Sequence, residues 1–108
     1  MPAEPFTCRV IPDRDRVVVE PRGELDMATV GAVEQELRRL RGSDFKRIVL
    51  DLGGLTFMDS TGLHLVARWT AESSRDGFAF ELRPGPPAVQ RVFELAGMAE
   101  GLPLVEQE

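Results

Sequence analysis

The sequence predicts an α/β domain with a mixed, mainly parallel sheet, and three observations support this prediction. The hydrophobic pattern switches between strand and helix periods in the order β-β-α-β-α-β-α-(β). Residues 48–52 (IVLDL) form a nearly unbroken apolar run, which is typical of a strand buried inside a parallel sheet. A length of 108 residues supports one hydrophobic core, so we expect a single domain over residues 1–108, ordered from about 6 to 105.

The first two strands are predicted to form an antiparallel hairpin. Residues 6–11 (FTCRVI) and 16–20 (RVVVE) are rich in β-forming side chains, and the turn sequence PDRD separates them. Pro21 has no N–H to donate to a neighbouring strand. We therefore expect the second strand to end or to bulge at this residue.

The first helix is predicted to begin near Met27, to be capped by Asp26 and to close at Gly42. Its apolar residues recur at helical spacing and are expected on one buried face: Val30, Val33, Leu37 and Leu40. The strand at 48–52 follows, and we expect a helix to cover each of its faces. Residues 53–58 are expected to form a loop.

A second helix is predicted from Asp59 or Ser60 to Gly77, followed by a strand over 78–82 (FAFEL) and a third helix over 88–98. The third helix is expected to turn four residues inward: Val89, Val92, Phe93 and Ala96. Residues 102–105 are a candidate edge strand. Leu65 and Trp69 lie off the main apolar stripe of the second helix, which predicts either a wide buried face or a partly exposed apolar patch.

The stretch FMDSTGLHL at 57–65 places polar and flexible residues between two apolar runs. Asp, Ser and Thr are the residue types that cap a helix start. Gly62 is less expected there, because glycine weakens a helix by up to ~1 kcal/mol relative to alanine. It is explained if the backbone is approached closely from outside. A helix N-terminus favours negative charge, so Ser60 or Thr61 is a candidate to carry a phosphoryl group.

Three motifs carry a resemblance to a known family. They are MDSTGL with its preceding IVLDL strand and GGLTF loop, the sequence GELD at 23–26, and PPAVQRVFELAGM at 86–98. In this order and spacing they resemble the motifs of bacterial anti-sigma factor antagonists, which are single STAS domains. The resemblance covers about residues 6–105. It departs from the family at His64, a position that is often Gly, and in a fourth helix that we expect to be short or absent.

The resemblance implies a role for individual residues. Ser60 falls at the phosphorylated serine, and Thr61 is a minor candidate beside it. The N-terminal N–H groups expected to cradle the phosphate belong to Thr61, Gly62 and Leu63. The partner-binding residues implied by the resemblance are Glu24, Asp26, Met58, Asp59 and His64.

The function that the resemblance implies is that of an anti-sigma factor antagonist rather than an enzyme. Similar proteins in their unphosphorylated form bind an anti-sigma factor that is also a serine kinase of the GHKL type, and this binding releases the sigma factor. Phosphorylation at the position of Ser60 switches binding off, and a PP2C-type phosphatase restores it. The alternative is a STAS subunit of a transporter or lipid-trafficking complex.

Composition argues against several other classes. A net charge of −5 does not favour nucleic acid as a partner. No apolar run approaches the ~20 residues of a membrane helix, and no secretory signal is visible, so we expect a cytoplasmic protein without a membrane partner. An enzyme would have to use Cys8 and His64, which lack a surrounding motif and are expected in the core and on the surface respectively. No cofactor is expected, and no ligand spacing suggests a metal.

Overall fold

The computed structural model describes residues 5–98 and 100–105. The strands are β1 (Thr7–Asp13), β2 (Arg16–Leu25), β3 (Arg47–Asp51), β4 (Leu55–Met58) and β5 (Ala79–Arg83). The helices are α1 (Val30–Arg41), α2 (Ser60–Asp76) and α3 (Pro87–Leu95). The predicted fold class is confirmed, because a mostly parallel sheet of five strands packs with three helices.

The long strand β2 organises the sheet. The order is β1-β2-β3-β5, and β4 pairs with β2 beyond the end of β3. Only the hairpin β1–β2 is antiparallel, as predicted. Pro21 does not end β2, since it is buried and lies opposite Cys8 in the hairpin. The irregularity comes later, between Gly23 and Glu24, where Gly23 has a φ of 106° that favours glycine.

Strand β4 was not expected, because residues 53–58 were predicted to form a loop. Its four residues are too few for a period to be read, and its central pair is exposed while its outer pair is buried. The strand is defined by its parallel pairing with the end of β2, where Leu25 lies opposite Met58. Tertiary pairing rather than local pattern therefore determines this element.

All three helices contribute to one core on one face of the sheet. Alternate strand residues such as Val17, Val19 and Leu50 join residues of every helix in a single apolar cluster. The prediction that helices cover both faces of β3 is therefore wrong. On the opposite face Val49 is buried beneath charged side chains, and ion pairs link Arg47 to Glu81, Arg9 to Glu20 and Arg83 to Asp51. On this face the aliphatic stems of the long charged side chains, rather than a helix, cover the sheet.

The helix boundaries differ from the predictions at the start of α1 and the end of α3. Helix α1 begins at Val30 rather than near Met27, although it ends at Gly42 as predicted. Helix α2 has Asp59 as its N-cap and Gly77 in the left-handed conformation at its end, both at the predicted positions. Helix α3 stops at Leu95, which leaves Ala96 exposed rather than inward. Residues 102–105 contribute a single bridge, from Leu104 to Leu82, rather than a strand.

None of the helices among the described residues combines the length and the hydropathy that a membrane crossing requires.

Candidate functional site

The candidate site forms where the end of β2 meets the start of α2. Leu25 and Met58 are paired in the β2–β4 ladder and both are buried. Immediately after this pair, the N–H of Asp59 donates to the carbonyl of Leu25 at 3.2 Å. The two motifs that contain most of the expected partner-binding residues, GELD and MDSTGL, are therefore joined by backbone hydrogen bonds.

Asp59 holds the first turn of α2. Its carboxylate accepts from the backbone N–H of Thr61 at 2.9 Å and from the Thr61 hydroxyl. Its carbonyl accepts from the N–H groups of Gly62 at 3.2 Å and Leu63 at 3.3 Å. The Thr61 hydroxyl, with smaller contributions from backbone N–H groups, holds the pKa of the Asp59 carboxyl below its ordinary value.

This cap corrects one expectation about the site. The N–H groups of Thr61, Gly62 and Leu63 were expected to be available to a phosphate, but all three already donate to Asp59. A phosphate beside them would have to compete with the Asp59 carboxylate for the Thr61 N–H. In the free chain these three N–H groups are thus occupied by the N-cap.

The two neighbouring hydroxyls of the motif differ in their surroundings. Ser60 is exposed, and within the described part of the chain its hydroxyl makes no hydrogen bond to another residue. The Thr61 side chain is partly buried, and its hydroxyl donates to Asp59. The free hydroxyl of the pair therefore belongs to Ser60.

Gly62 is required by the core rather than by an external ligand. A methyl group built on its Cα would lie 2.5 Å from Cγ of Met58 and 3.0 Å from Cδ2 of Leu25. The expected close approach from outside is therefore replaced by a close approach from inside. The absence of a side chain lets the first turn of α2 sit directly on the β2–β4 pair.

Asp26 shapes the turn that precedes α1 instead of capping the helix at Met27. Its carboxylate accepts from the N–H of Ala28 at 3.0 Å, and its carbonyl accepts from the N–H of Val30 at 2.9 Å. The hydroxyl of Thr29 donates to the carbonyl of Glu24 at 2.8 Å. These bonds fix the position of the loop between β2 and α1 next to the start of α2.

The remaining partner-binding candidates divide into two groups. Glu24 and His64 are exposed, and Asp59 is partly exposed. Met58, however, is only 2% exposed and lies in the core, so its side chain is not available to a partner. The residue of β4 that reaches the surface is Phe57, which is 47% exposed. Sequence reasoning missed it, because two adjacent apolar residues in a four-residue strand do not reveal which one points inward.

Residues that sequence analysis treated as open alternatives are buried. Leu65 and Trp69 have no exposed surface, and the indole N–H of Trp69 donates to Glu34 of α1 at 2.6 Å. They therefore widen the buried face of α2 and form no surface patch. Cys8 is half-buried against the core, and burial, followed by the charge of Glu36, raises the pKa of its thiol to about 11.

Comparisons with known proteins agree with this fold. A family model described as "Mlab, STAS domain" matches residues 8–106. An anti-sigma factor antagonist from Mycobacterium paratuberculosis is 30% identical over 93% of this chain and 85% of its own, with a TM-score of 0.80. The unphosphorylated form of the anti-sigma factor antagonist SpoIIAA is 24% identical over 96% of this chain and 89% of its own, with a TM-score of 0.74. The phosphorylated form of SpoIIAA from Bacillus is 23% identical over 96% of this chain and 92% of its own, with a TM-score of 0.70. By its family-model match and these relatives, the chain belongs to the STAS domain family, among the anti-sigma factor antagonists.

Proposed function

We propose that the unphosphorylated chain binds an anti-sigma factor that is also a serine kinase, and that phosphorylation of Ser60 ends this binding. The observation that carries the proposal is the free, exposed hydroxyl of Ser60 at the start of α2. The proposed kinase is of the GHKL type, a PP2C-type phosphatase reverses the modification, and the exchange takes place in the cytoplasm. The similar protein SpoIIAA is known in both a phosphorylated and an unphosphorylated form.

The choice of Ser60 over Thr61 follows from hydrogen bonding. A hydroxyl attacks a phosphoryl group only if its oxygen is accessible and its proton can be removed. The Thr61 hydroxyl already donates to the Asp59 carboxylate, and phosphorylation of Thr61 would remove this hydrogen bond. Ser60 needs no such rearrangement, so it is the acceptor in this proposal and Thr61 is at most a minor one.

The effect of the phosphate on binding is electrostatic. Phosphorylation adds about −1.5 to −2 charges at a surface that already carries Asp26 and Asp59. In the free protein this charge is exposed to water and lies near the positive end of α2, so the fold tolerates it. In a complex the same charge loses its water, and an unpaired buried charge costs several kcal/mol.

The test compares single substitutions in calorimetric titration against a purified anti-sigma kinase that phosphorylates the wild-type chain. Ser60→Asp is expected to weaken binding by at least about tenfold while the melting temperature stays within a few degrees. Ser60→Ala is expected to bind normally and to resist inactivation by ATP. Ser74→Asp is the matched control, because it adds the same charge at an exposed position near the other end of α2.

Two results would contradict the proposal. One is peptide mapping that places the phosphate mainly on Thr61 or on another residue. The other is a Ser60→Asp variant that binds as tightly as the wild type. Stable association that ignores the state of Ser60 would instead favour the alternative, a STAS subunit of a transporter or lipid-trafficking complex.

A further inference from the structure

Exposed apolar side chains are few in the described part of the chain, and two of them border the site. Met27 is 81% exposed in the turn after Asp26, and Phe57 is 47% exposed three residues before Ser60. In the β2–β4 ladder Phe57 lies opposite Glu24, next to the buried Leu25–Met58 pair. Both exposed side chains therefore belong to the two backbone segments that form the site.

Three carboxylates surround the start of α2 and the turn before α1. Within residues 5–98 and 100–105, no ion pair involves Glu24, Asp26 or Asp59. Elsewhere most acidic side chains are paired with arginine: Asp13, Glu20, Glu34, Glu36, Asp51, Glu72, Asp76 and Glu81. The described residues therefore leave these three carboxylates without a salt-bridge partner at the site.

Apolar residues within a charged border match the usual anatomy of a protein interface. Aromatic residues and methionine are enriched at interface centres, and a few such residues carry most of the binding energy. Uncompensated charges at the border speed association with a surface of opposite sign. A solvent-facing surface needs neither feature.

We propose that Met27 and Phe57 are the apolar anchors by which this chain binds its kinase. The complementary surface is apolar and is bordered by lysine or arginine side chains that pair with Glu24, Asp26 and Asp59. This inference rests on the proposed function and specifies the chemistry of its partner surface. It also assigns to Phe57 the contact that the sequence assigned to Met58.

The same arrangement bears on the switch. The partner's cations are matched to three carboxylates, so a phosphate on Ser60 adds charge for which the complex holds no further cation. The apolar anchors also require the surface around them to lose water, which is the condition under which an unmatched charge is most costly. Anchors and phosphate therefore act in opposite directions at one surface.

The experiment measures affinity by calorimetry, with the purified kinase that phosphorylates Ser60 as the probe. Phe57→Ser and Met27→Ser are each expected to weaken binding by roughly tenfold or more. Leu95→Ser is the matched control, because Leu95 is also 81% exposed but lies at the end of α3. It is expected to change the affinity by less than about twofold. Phe57→Leu, which keeps an apolar side chain, is expected to restore most of the affinity, and thermal melts verify that each variant is folded.

A second arm tests the acidic border. Glu24→Lys is expected to slow association with the kinase, and the wild-type association rate is expected to fall as salt rises. Glu94→Lys is its control, since Glu94 is an exposed acid of α3. Association that is insensitive to both salt and Glu24→Lys would overturn the charged part of the proposal.

The outcomes separate this inference from the proposed function. If Ser60→Asp prevents binding but Phe57→Ser and Met27→Ser do not, the switch stands and the anchors are refuted. If the anchor variants weaken binding and Ser60→Asp does not, the anchors stand and the switch is refuted. Equal losses in Phe57→Ser, Met27→Ser and Leu95→Ser would show that the effect is not specific to this surface and would overturn the inference.

Discussion

The buried flank of α2, formed by Leu65, Val66 and Trp69, and the first turn of the same helix are held in different ways. The flank is fixed by side chains. The ring centroid of Trp69 lies 6.1 Å from that of Phe78 and 6.3 Å from that of Phe80, and the indole N–H donates a hydrogen bond to Glu34. The first turn is fixed through its backbone, by the cap of Asp59. Because the cap and the core hold the first turn without the Ser60 side chain, the Ser60 hydroxyl is left exposed on a backbone that is held in place.

The largest expected effect comes from truncating Trp69, the largest side chain of the buried flank. Trp69→Ala deletes a fully buried ring and is expected to lower the free energy of unfolding by about 3–5 kcal/mol. Trp69→Phe keeps most of the volume and is expected to cost much less, because Glu34 retains Arg38 as a partner. Denaturant unfolding measures both variants. Equal losses in the two would mean that the indole hydrogen bond, rather than packing, holds the flank.

Gly62→Ala tests the contact between the first turn and the core. The added methyl group meets Met58 and Leu25, so we expect a loss of about 1–3 kcal/mol through overpacking. Gly31→Ala is the control, since a methyl group there meets nothing within 4 Å and alanine favours the helix. Denaturant unfolding of Gly62→Ala at or above wild-type stability would contradict the assignment of Gly62 to packing.

The smallest expected effect concerns the cap itself. Thr61→Val removes the hydroxyl that lowers the pKa of Asp59, so this pKa is expected to rise toward its ordinary value, as NMR titration would show. In the wild type the lowered pKa contributes stability above the unfolded-state pKa, and this contribution is lost as the pH falls through the folded-state pKa. Stability of Thr61→Val should therefore fall less steeply on acidification below the ordinary aspartate pKa.

Thr70→Val is the control for this prediction, because the Thr70 hydroxyl donates to the backbone carbonyl of Val66 rather than to a carboxylate. It should leave the Asp59 titration unchanged. An Asp59 pKa that is the same in Thr61→Val and in the wild type would show that the hydroxyl does not lower this pKa.

Sequence reasoning succeeded where a local pattern determines the structure. The order of the main elements, the cap at Asp59 and the end of α2 at Gly77 all follow from residue type and spacing. It failed where a segment distant in the sequence determines the local structure. β4 exists because β2 extends past Pro21 to meet it, and only that pairing distinguishes buried Met58 from exposed Phe57.

The site residues show the same division. The position of a hydroxyl at a helix start is a local matter, so Ser60 was predictable as a candidate. The contact between Gly62 and Leu25 joins widely separated parts of the chain, so its role in packing was not. The turn at Asp26 was also misread, because an aspartate that shapes a turn and one that caps a helix have the same sequence signature.

The bond from Asp59 to the carbonyl of Leu25 has a consequence for quality control in the cell. It joins segments that lie far apart in sequence, so the surface around Ser60 assembles only after the chain has closed a long loop. A copy that has not folded lacks that surface, and a short peptide containing Ser60 lacks it too. If the kinase binds this surface, only correctly folded molecules compete for the kinase. The amount of kinase that is bound then follows the folded population rather than the total amount of protein.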